Sequence, residues 1–139
     1  MYLFAECSDR RDANVPRMKA FINTLMKFKK ENFDRWYGSK QLHLAVLCTL
    51  PDYQRRGAGT AHCRWGMDYA KDKEWAITLF ASPMGKQLYS HLGFDVKGTV
   101  HVQIKGEKEE LFISAMTCEK PKGSDEDLSS ASHRWCVTS

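Results

Sequence analysis

The stretch Leu42-His43-Leu44-Ala45-Val46-Leu47-Cys48-Thr49 leads through Leu50 and Pro51 into Asp52-Tyr53-Gln54-Arg55-Arg56-Gly57-Ala58-Gly59-Thr60, so an apolar run meets a glycine-rich turn. The first part has the length and composition of a strand buried on both faces, and Pro51 ends it. A helix is expected to begin near Gly57 and to run to about Lys73, with Ala61, Trp65 and Tyr69 on a patchy apolar stripe and Gly66 weakening its middle. A buried strand that turns through glycines into a helix presents several unpaired backbone N–H groups at one helix start, and such a turn binds anions.

Gly57 and Gly59 let the backbone approach a ligand closely, Ala58 adds little bulk, and Arg55 and Arg56 supply positive charge where a pyrophosphate would lie. Two familiar phosphate loops are excluded. No Gly-Lys-Ser/Thr follows, as a P-loop requires, and His62 stands where a dinucleotide fingerprint has its third glycine. Taken alone, the window also fits a plain glycine turn.

Upstream, Asn14 is placed to cap a helix with Pro16 in its first turn and apolar residues at Met18, Phe21, Ile22, Leu25 and Met26, ending near Lys30. Downstream, Trp75 to Phe80 reads as a second buried strand. A short helix opens at Pro83 or Met84, with Leu88 and Leu92 on one face and Gly93 where a left-handed cap belongs. Phe94 to Lys105 and Glu109 to Thr117 read as two strands of an antiparallel hairpin turning at Lys105-Gly106-Glu107-Lys108. This order of elements predicts an α/β or layered α+β fold.

Residues 1–39 are expected to form a helical N-terminal segment, 40–118 the core, and 119–139 a loose tail, since its Ser, Asp, Glu, Lys and Gly cannot bury enough apolar surface to offset ordering entropy. At 139 residues with 42% hydrophobic and 12% aromatic content, the chain has material for one domain and one core. Its 21 Lys and Arg against 17 Asp and Glu leave a net charge of +4, which permits a phosphate-bearing ligand and argues against nucleic acid. No apolar run approaches the roughly 20 residues needed to span a bilayer, and the start lacks a signal-peptide pattern, so a cytoplasmic location is expected. Cys7, Cys48, Cys63, Cys118 and Cys136 are odd in number and lack a Cys-x-x-Cys pair; no zinc site is expected, and the lone Cys48 in its strand reads as a small inert hydrophobe.

The Gln-x-x-Gly-x-Gly string at Gln54–Gly59 resembles the coenzyme A loop of the Gcn5-related N-acetyltransferases (GNAT), and Leu47-Cys48-Thr49 resembles the strand end that pairs with the pantetheine arm. Ser82-Pro83-Met84-Gly85-Lys86-Gln87-Leu88-Tyr89-Ser90-His91-Leu92-Gly93-Phe94 looks like the family's second signature, a helix with a tyrosine that ends in Leu-Gly-Phe. The wording is nearest to that of fungal members. Where Ser82 and Gly85 stand, the family often has asparagine and alanine. The resemblance covers about Leu42 to Thr117 and implies a mixed central sheet flanked by helices. In the full fold a strand, two helices and two further strands precede the cofactor strand, and about forty residues precede Leu42 here, so some N-terminal strands are expected to be missing.

The resemblance further implies acetyl-coenzyme A as the acyl donor and a primary amine, small or on a peptide, as the acceptor. It assigns cofactor contacts to Leu47, Cys48, Thr49, Gln54, Arg55, Arg56, Gly57, Ala58, Gly59, Thr60, Ser82 and Lys86. Tyr89, placed like the family's tyrosine acid, is the expected proton donor to the leaving thiolate. His43 is the only conventional base on the first strand. A missing sheet half would favour self-association through exposed strand edges. The alternative is a non-catalytic acyl-coenzyme A binding or interaction module that keeps the phosphate loop.

Overall fold

The structure, a computed structural model, describes residues 12–119 and the backbone of residues 137 and 138. Helix α1 spans Val15–Phe28, and the Asn14 side chain caps it by accepting a hydrogen bond from the Arg17 N–H at 3.1 Å. A π turn, Lys29–Phe33, joins α1 to the short helix α2, Asp34–Tyr37. Lys29 Nζ reaches across this turn to Asp34 Oδ1 at 2.6 Å. That hydrogen bond holds the Asp34 carboxyl below its usual pKa. The wider π turn brings Phe33 back toward Phe28, and the two rings meet edge to face at 5.7 Å.

The remaining elements are β1 (Gln41–Leu44), β2 (Leu47–Cys48), a 3-10 turn (Pro51–Tyr53), α3 (Ala58–Lys73), β3 (Ala76–Ala81), α4 (Pro83–His91), β4 (Asp95–Gln103), β5 (Glu110–Cys118) and β6 (Val137–Thr138). Four strands form one mixed sheet in the order β1-β3-β5-β4. The β1–β3 pair is parallel, and β5 runs antiparallel to both β3 and β4. Gly106, at φ +93°, lies in the β4–β5 connection.

The expected continuous strand over 42–49 is interrupted. Ala45 and Val46 leave the ladder and are exposed, so β1 stays with β3 while β2 pairs in parallel with β6. The run is also only half-buried, because β1 is an edge strand of its sheet. Residues 120–136 and 139 of the expected loose tail lie outside the described residues, as do residues 1–11 of the N-terminal segment; Glu119 accepts a hydrogen bond from the Tyr37 hydroxyl at 2.8 Å.

Strand alternation divides the interior into two cores. Ile77, Leu79 and Ala81 of β3 pack with Cys63, Met67 and Ala70 of α3 and with Tyr89 of α4. On the opposite face Val100, Val102, Ile113 and Ala115 pack with Leu25 and Phe33, and Phe80 joins them. Gly66, a weak point by propensity, is buried on the inner face of α3, where the packing of Cys63, Met67 and Ala70 outweighs a cost of about 1 kcal/mol.

Candidate functional site

The C-terminal end of β2, the turn after it, and the N-termini of α3 and α4 enclose a cleft of about 580 Å³. Local sequence builds each wall. Pro51 opens the 3-10 turn, and Gln54 Nε2 donates to Thr49 O at 2.9 Å, tying the loop back to the strand end. Arg55 sits at φ +62° and Gly57 at φ +86°, so the chain reverses within a few residues and enters α3. The Ala61 N–H bonds to Gly57 O at 3.0 Å, so Ala58, Gly59 and Thr60 precede the first helical donor and point their N–H groups from the helix end. A Cβ at Gly59 would lie 3.2 Å from Leu88 Cδ2, so the glycine lets α3 close onto α4.

Ser82 caps α4, accepting from the Gly85 N–H at 3.1 Å, and turns a second helix N-terminus toward the same space. Gly85 carries no side chain where a Cβ would stand 3.3 Å from both Ser82 Oγ and Tyr89 Cε2, which allows the Tyr89 ring to lie close along its own helix. Arg55 contributes a cation, and no carboxylate among the described residues lines the cleft. One end is therefore cationic and rich in N–H donors, and the other, at Leu47, Met84 and Leu88, is apolar.

Of the residues expected at the site, Leu47, Cys48, Thr49, Gln54, Arg55, Gly57, Ala58, Gly59, Thr60, Ser82 and Tyr89 line this cleft. Arg56, Lys86 and His43 do not. The Arg56 guanidinium stacks over the Tyr53 ring at 5.6 Å from its centroid, because its neighbour Arg55 takes the left-handed position facing inward. Lys86 is exposed and lies one residue past the cleft-lining face of α4. Tyr53, Met84, Gly85 and Leu88 line the cleft without having been singled out; Leu88 follows from its i+4 spacing to Met84, whereas Tyr53 depends on how the loop folds back. Cys48, expected as a buried hydrophobe, is exposed and lines the cleft, since β2 has left the main sheet.

Tyr89 is buried, and burial, reinforced by the nearby Cys63, pushes its phenol up to about 12. The hydroxyl therefore remains protonated throughout the range in which proteins are stable. His43 lies on the opposite face of the sheet, among the rings of Phe33 at 6.1 Å and Phe80 at 5.6 Å. Thr78 donates its hydroxyl to Gln41 Oε1 at 2.9 Å, which leaves Thr78 Oγ1 to accept from His43 Nδ1–H at 2.8 Å. Burial, with Lys29 nearby, lowers the His43 pKa from 6.5 to about 4. The unfolded chain takes up this proton first, so the associated stability is complete above about pH 6.5 and is lost as pH falls through about 4. Thermal unfolding followed from pH 7 to 4 should show His43→Gln with a shallower loss than the parent protein.

No protein-family model matches the chain. An acetyltransferase of Stachybotrys chartarum is 37% identical to it over 103 residues. The ribosomal-protein-S18-alanine N-acetyltransferase of Escherichia coli, which has the GNAT fold, superposes with a TM-score of 0.52 at 18% identity, over 65% of this chain and 61% of that one. The chain has the GNAT fold. Its match with the Stachybotrys relative takes in 71% of this chain and 41% of the relative, so the chain spans under half the length of that protein. The mixed sheet with α1 on one face and α3 and α4 on the other is the GNAT arrangement. No helix among the described residues is long and apolar enough to cross a membrane, and no group of three or more His, Cys, Asp or Glu among them is arranged to hold a metal ion.

Proposed function

We propose that this chain binds acetyl-coenzyme A in the cleft between β2, α3 and α4 and transfers its acetyl group to a primary amine by direct attack. The observation that carries this reading is the convergence on one cleft of the α3 N–H groups, Arg55 and Tyr89, with no carboxylate in the lining among the described residues. The Ala58, Gly59 and Thr60 N–H groups suit a pyrophosphate. Leu47 and Leu88 supply the apolar wall that an acyl-pantetheine chain needs.

In that reading the uncharged amine attacks the thioester carbonyl, and backbone N–H donors near Leu47 and Cys48 stabilise the developing oxyanion. The C–S bond then breaks, and Tyr89 donates a hydrogen bond to the departing sulfur. With a pKa of about 12, well above an ordinary thiol, Tyr89 serves as a held donor more than as a strong acid. Among the described residues, no histidine or carboxylate lines the cleft to act as base. In this reading the acceptor arrives as the free amine and releases its proton to water after attack, so kcat/KM is expected to rise about tenfold per pH unit up to the acceptor's own pKa. An enzyme-borne base would instead produce an inflection that stays in place when the acceptor is changed.

A second reading, a binding module without turnover, is favoured by that same lack of a base. Titration with acetyl-coenzyme A separates the possibilities, because a ligand bound only by the folded state adds about 2.7 kcal/mol at a hundredfold excess over Kd. Stabilisation together with thiol release in an amine panel supports transfer, and stabilisation without release supports the module. No stabilisation at saturating concentrations rejects both.

Gly57→Val provides a more local check. A branched residue at φ +86° is strained by about 1–2 kcal/mol, and relief of that strain re-aims the N–H groups that follow. Acetyl-coenzyme A affinity is expected to fall about tenfold or more, equivalent to about 1.4 kcal/mol; unchanged affinity by calorimetry would remove the loop from the binding site.

A further inference from the structure

Tyr53 lines the cleft, is 58% exposed and joins neither of the two cores. The loop nevertheless fixes its backbone. Tyr53 closes the 3-10 turn that Pro51 opens, its N–H donates to Leu50 O at 2.9 Å, and the next residue, Gln54, is tied to Thr49 O at 2.9 Å. The Arg56 guanidinium lies over the ring at 5.6 Å from its centroid. One face of the ring is thereby taken, and the exposed remainder borders the cleft.

A fixed, half-covered ring at the edge of a cleft suits a flat aromatic group, because stacking uses the whole open face and needs no matched donor or acceptor. The cation over the ring draws π density toward the covered side, so the open face suits a neutral ring better than a second cation. Tyr53 stands two residues before Arg55, in the loop that leads to the Ala58, Gly59 and Thr60 N–H groups, and so belongs to the cationic end of the cleft. In coenzyme A the adenosine follows the pyrophosphate on the side away from the thioester. With the pyrophosphate on those N–H groups and the pantetheine chain on the Leu47 and Leu88 wall, adenine is the flat, neutral ring that comes to the loop side.

We propose that the Tyr53 ring, backed by Arg56, is the shelf on which the adenine of the cofactor stacks, and that it selects coenzyme A thioesters over those of phosphopantetheine, which has no nucleotide. The proposal rests on the acetyl-coenzyme A reading of the cleft. The contact is made by the π face, so phenylalanine can replace this tyrosine and alanine cannot. Tyr53 touches no reacting atom in this arrangement. Its loss therefore falls on KM and leaves kcat nearly unchanged.

The test is calorimetric titration of the full chain with acetyl-coenzyme A, with its dephospho form, which lacks only the ribose phosphate, and with S-acetylphosphopantetheine. The parent should bind the two nucleotides more tightly than S-acetylphosphopantetheine. Tyr53→Ala should weaken both nucleotides about tenfold, within the range that alanine substitution removes from a stacked base, and leave S-acetylphosphopantetheine within about twofold. Tyr53→Phe should bind all three as the parent does. Arg56→Met should weaken the dephospho form by a smaller factor than Tyr53→Ala, because the ring stays and loses only its backing. Coenzyme A carrying ethenoadenine reads the contact itself: its fluorescence should be quenched on the parent and on Tyr53→Phe, and recover on Tyr53→Ala. That signal decides the matter where S-acetylphosphopantetheine binds too weakly to follow. Circular dichroism verifies that each variant remains folded. Equal weakening of S-acetylphosphopantetheine would place the ring against the pantetheine arm. That result, parent affinity for S-acetylphosphopantetheine equal to that for the nucleotides, or unchanged nucleotide affinity in Tyr53→Ala would overturn the proposal while the acetyl-coenzyme A reading stands. Failure of the parent to bind any of the three rejects that reading and the proposal with it.

Discussion

Tyr89→Phe is expected to lower kcat for acetyl transfer by about a hundredfold, the low end of what a positioned proton donor contributes, while leaving acetyl-coenzyme A affinity within about twofold. The ring is buried against Phe94 at 5.7 Å and is flanked by the open side of Gly85, so phenylalanine retains the packing and loses only the hydroxyl. Single-turnover measurement separates this loss from slow product release. Because burial keeps the phenol protonated to about 12, no alkaline limb between pH 7 and 10 should originate from Tyr89. An unchanged kcat in Tyr89→Phe would leave the ring as core alone. Gly85→Ala gives the companion result, since a Cβ 3.3 Å from Tyr89 Cε2 forces the ring to shift by a few tenths of an ångström. It should reduce kcat by less than Tyr89→Phe does, with the same sign.

Phe33→Ala should cost about 3–5 kcal/mol of stability, measured by urea denaturation. Phe33 is fully buried, and it touches Phe28, Trp36, His43 and Phe80 at centroid distances of 5.3 to 6.3 Å. Its removal leaves a cavity that four rings on four separate elements cannot fill without moving the π turn. Phe33→Leu, which preserves much of the volume, should cost about half as much or less. Equal losses in the two variants would mean that aromatic geometry, and not volume, holds α1 to the sheet.

Much of this architecture is legible along the chain, for reasons that can be traced residue by residue. Asn14 and Ser82 cap helices where their side chains accept from the third N–H onward, and each precedes a helix with proline in its first turn. Such signals are local, involving groups within four residues, and no distant contact is needed to complete them. The glycine loop is legible on the same grounds, because a left-handed Gly57 and a run of small residues permit one kind of turn.

Other features depend on atoms far apart in the chain. The apolar run at 42–49 looks uniform, yet Ala45 and Val46 drop out of the ladder, and only the absence of a partner there among the described residues reveals it. That interruption exposes Cys48 to the cleft, whereas His43 five residues earlier faces Phe33 and Phe80 on the other side of the sheet. The tautomer and pKa of His43 come from Thr78 and from burial, 35 residues away along the chain. Phe33 lies beyond the expected end of α1 and reaches the core through the π turn, a geometry that tertiary packing selects. A cavity between α1 and the β4–β5 hairpin likewise requires elements some ninety residues apart to meet.

By itself, then, the sequence determined most of the helices and strands, two helix caps, and a glycine-rich turn ahead of α3, because all of these arise from near-neighbour sterics and backbone hydrogen bonding. Only the tertiary structure decided which side chains share a cavity, which histidine is withdrawn from solvent, and how far the Tyr89 phenol departs from its ordinary acidity. Those properties are set by desolvation and by contacts across the sheet, and residue order carries neither.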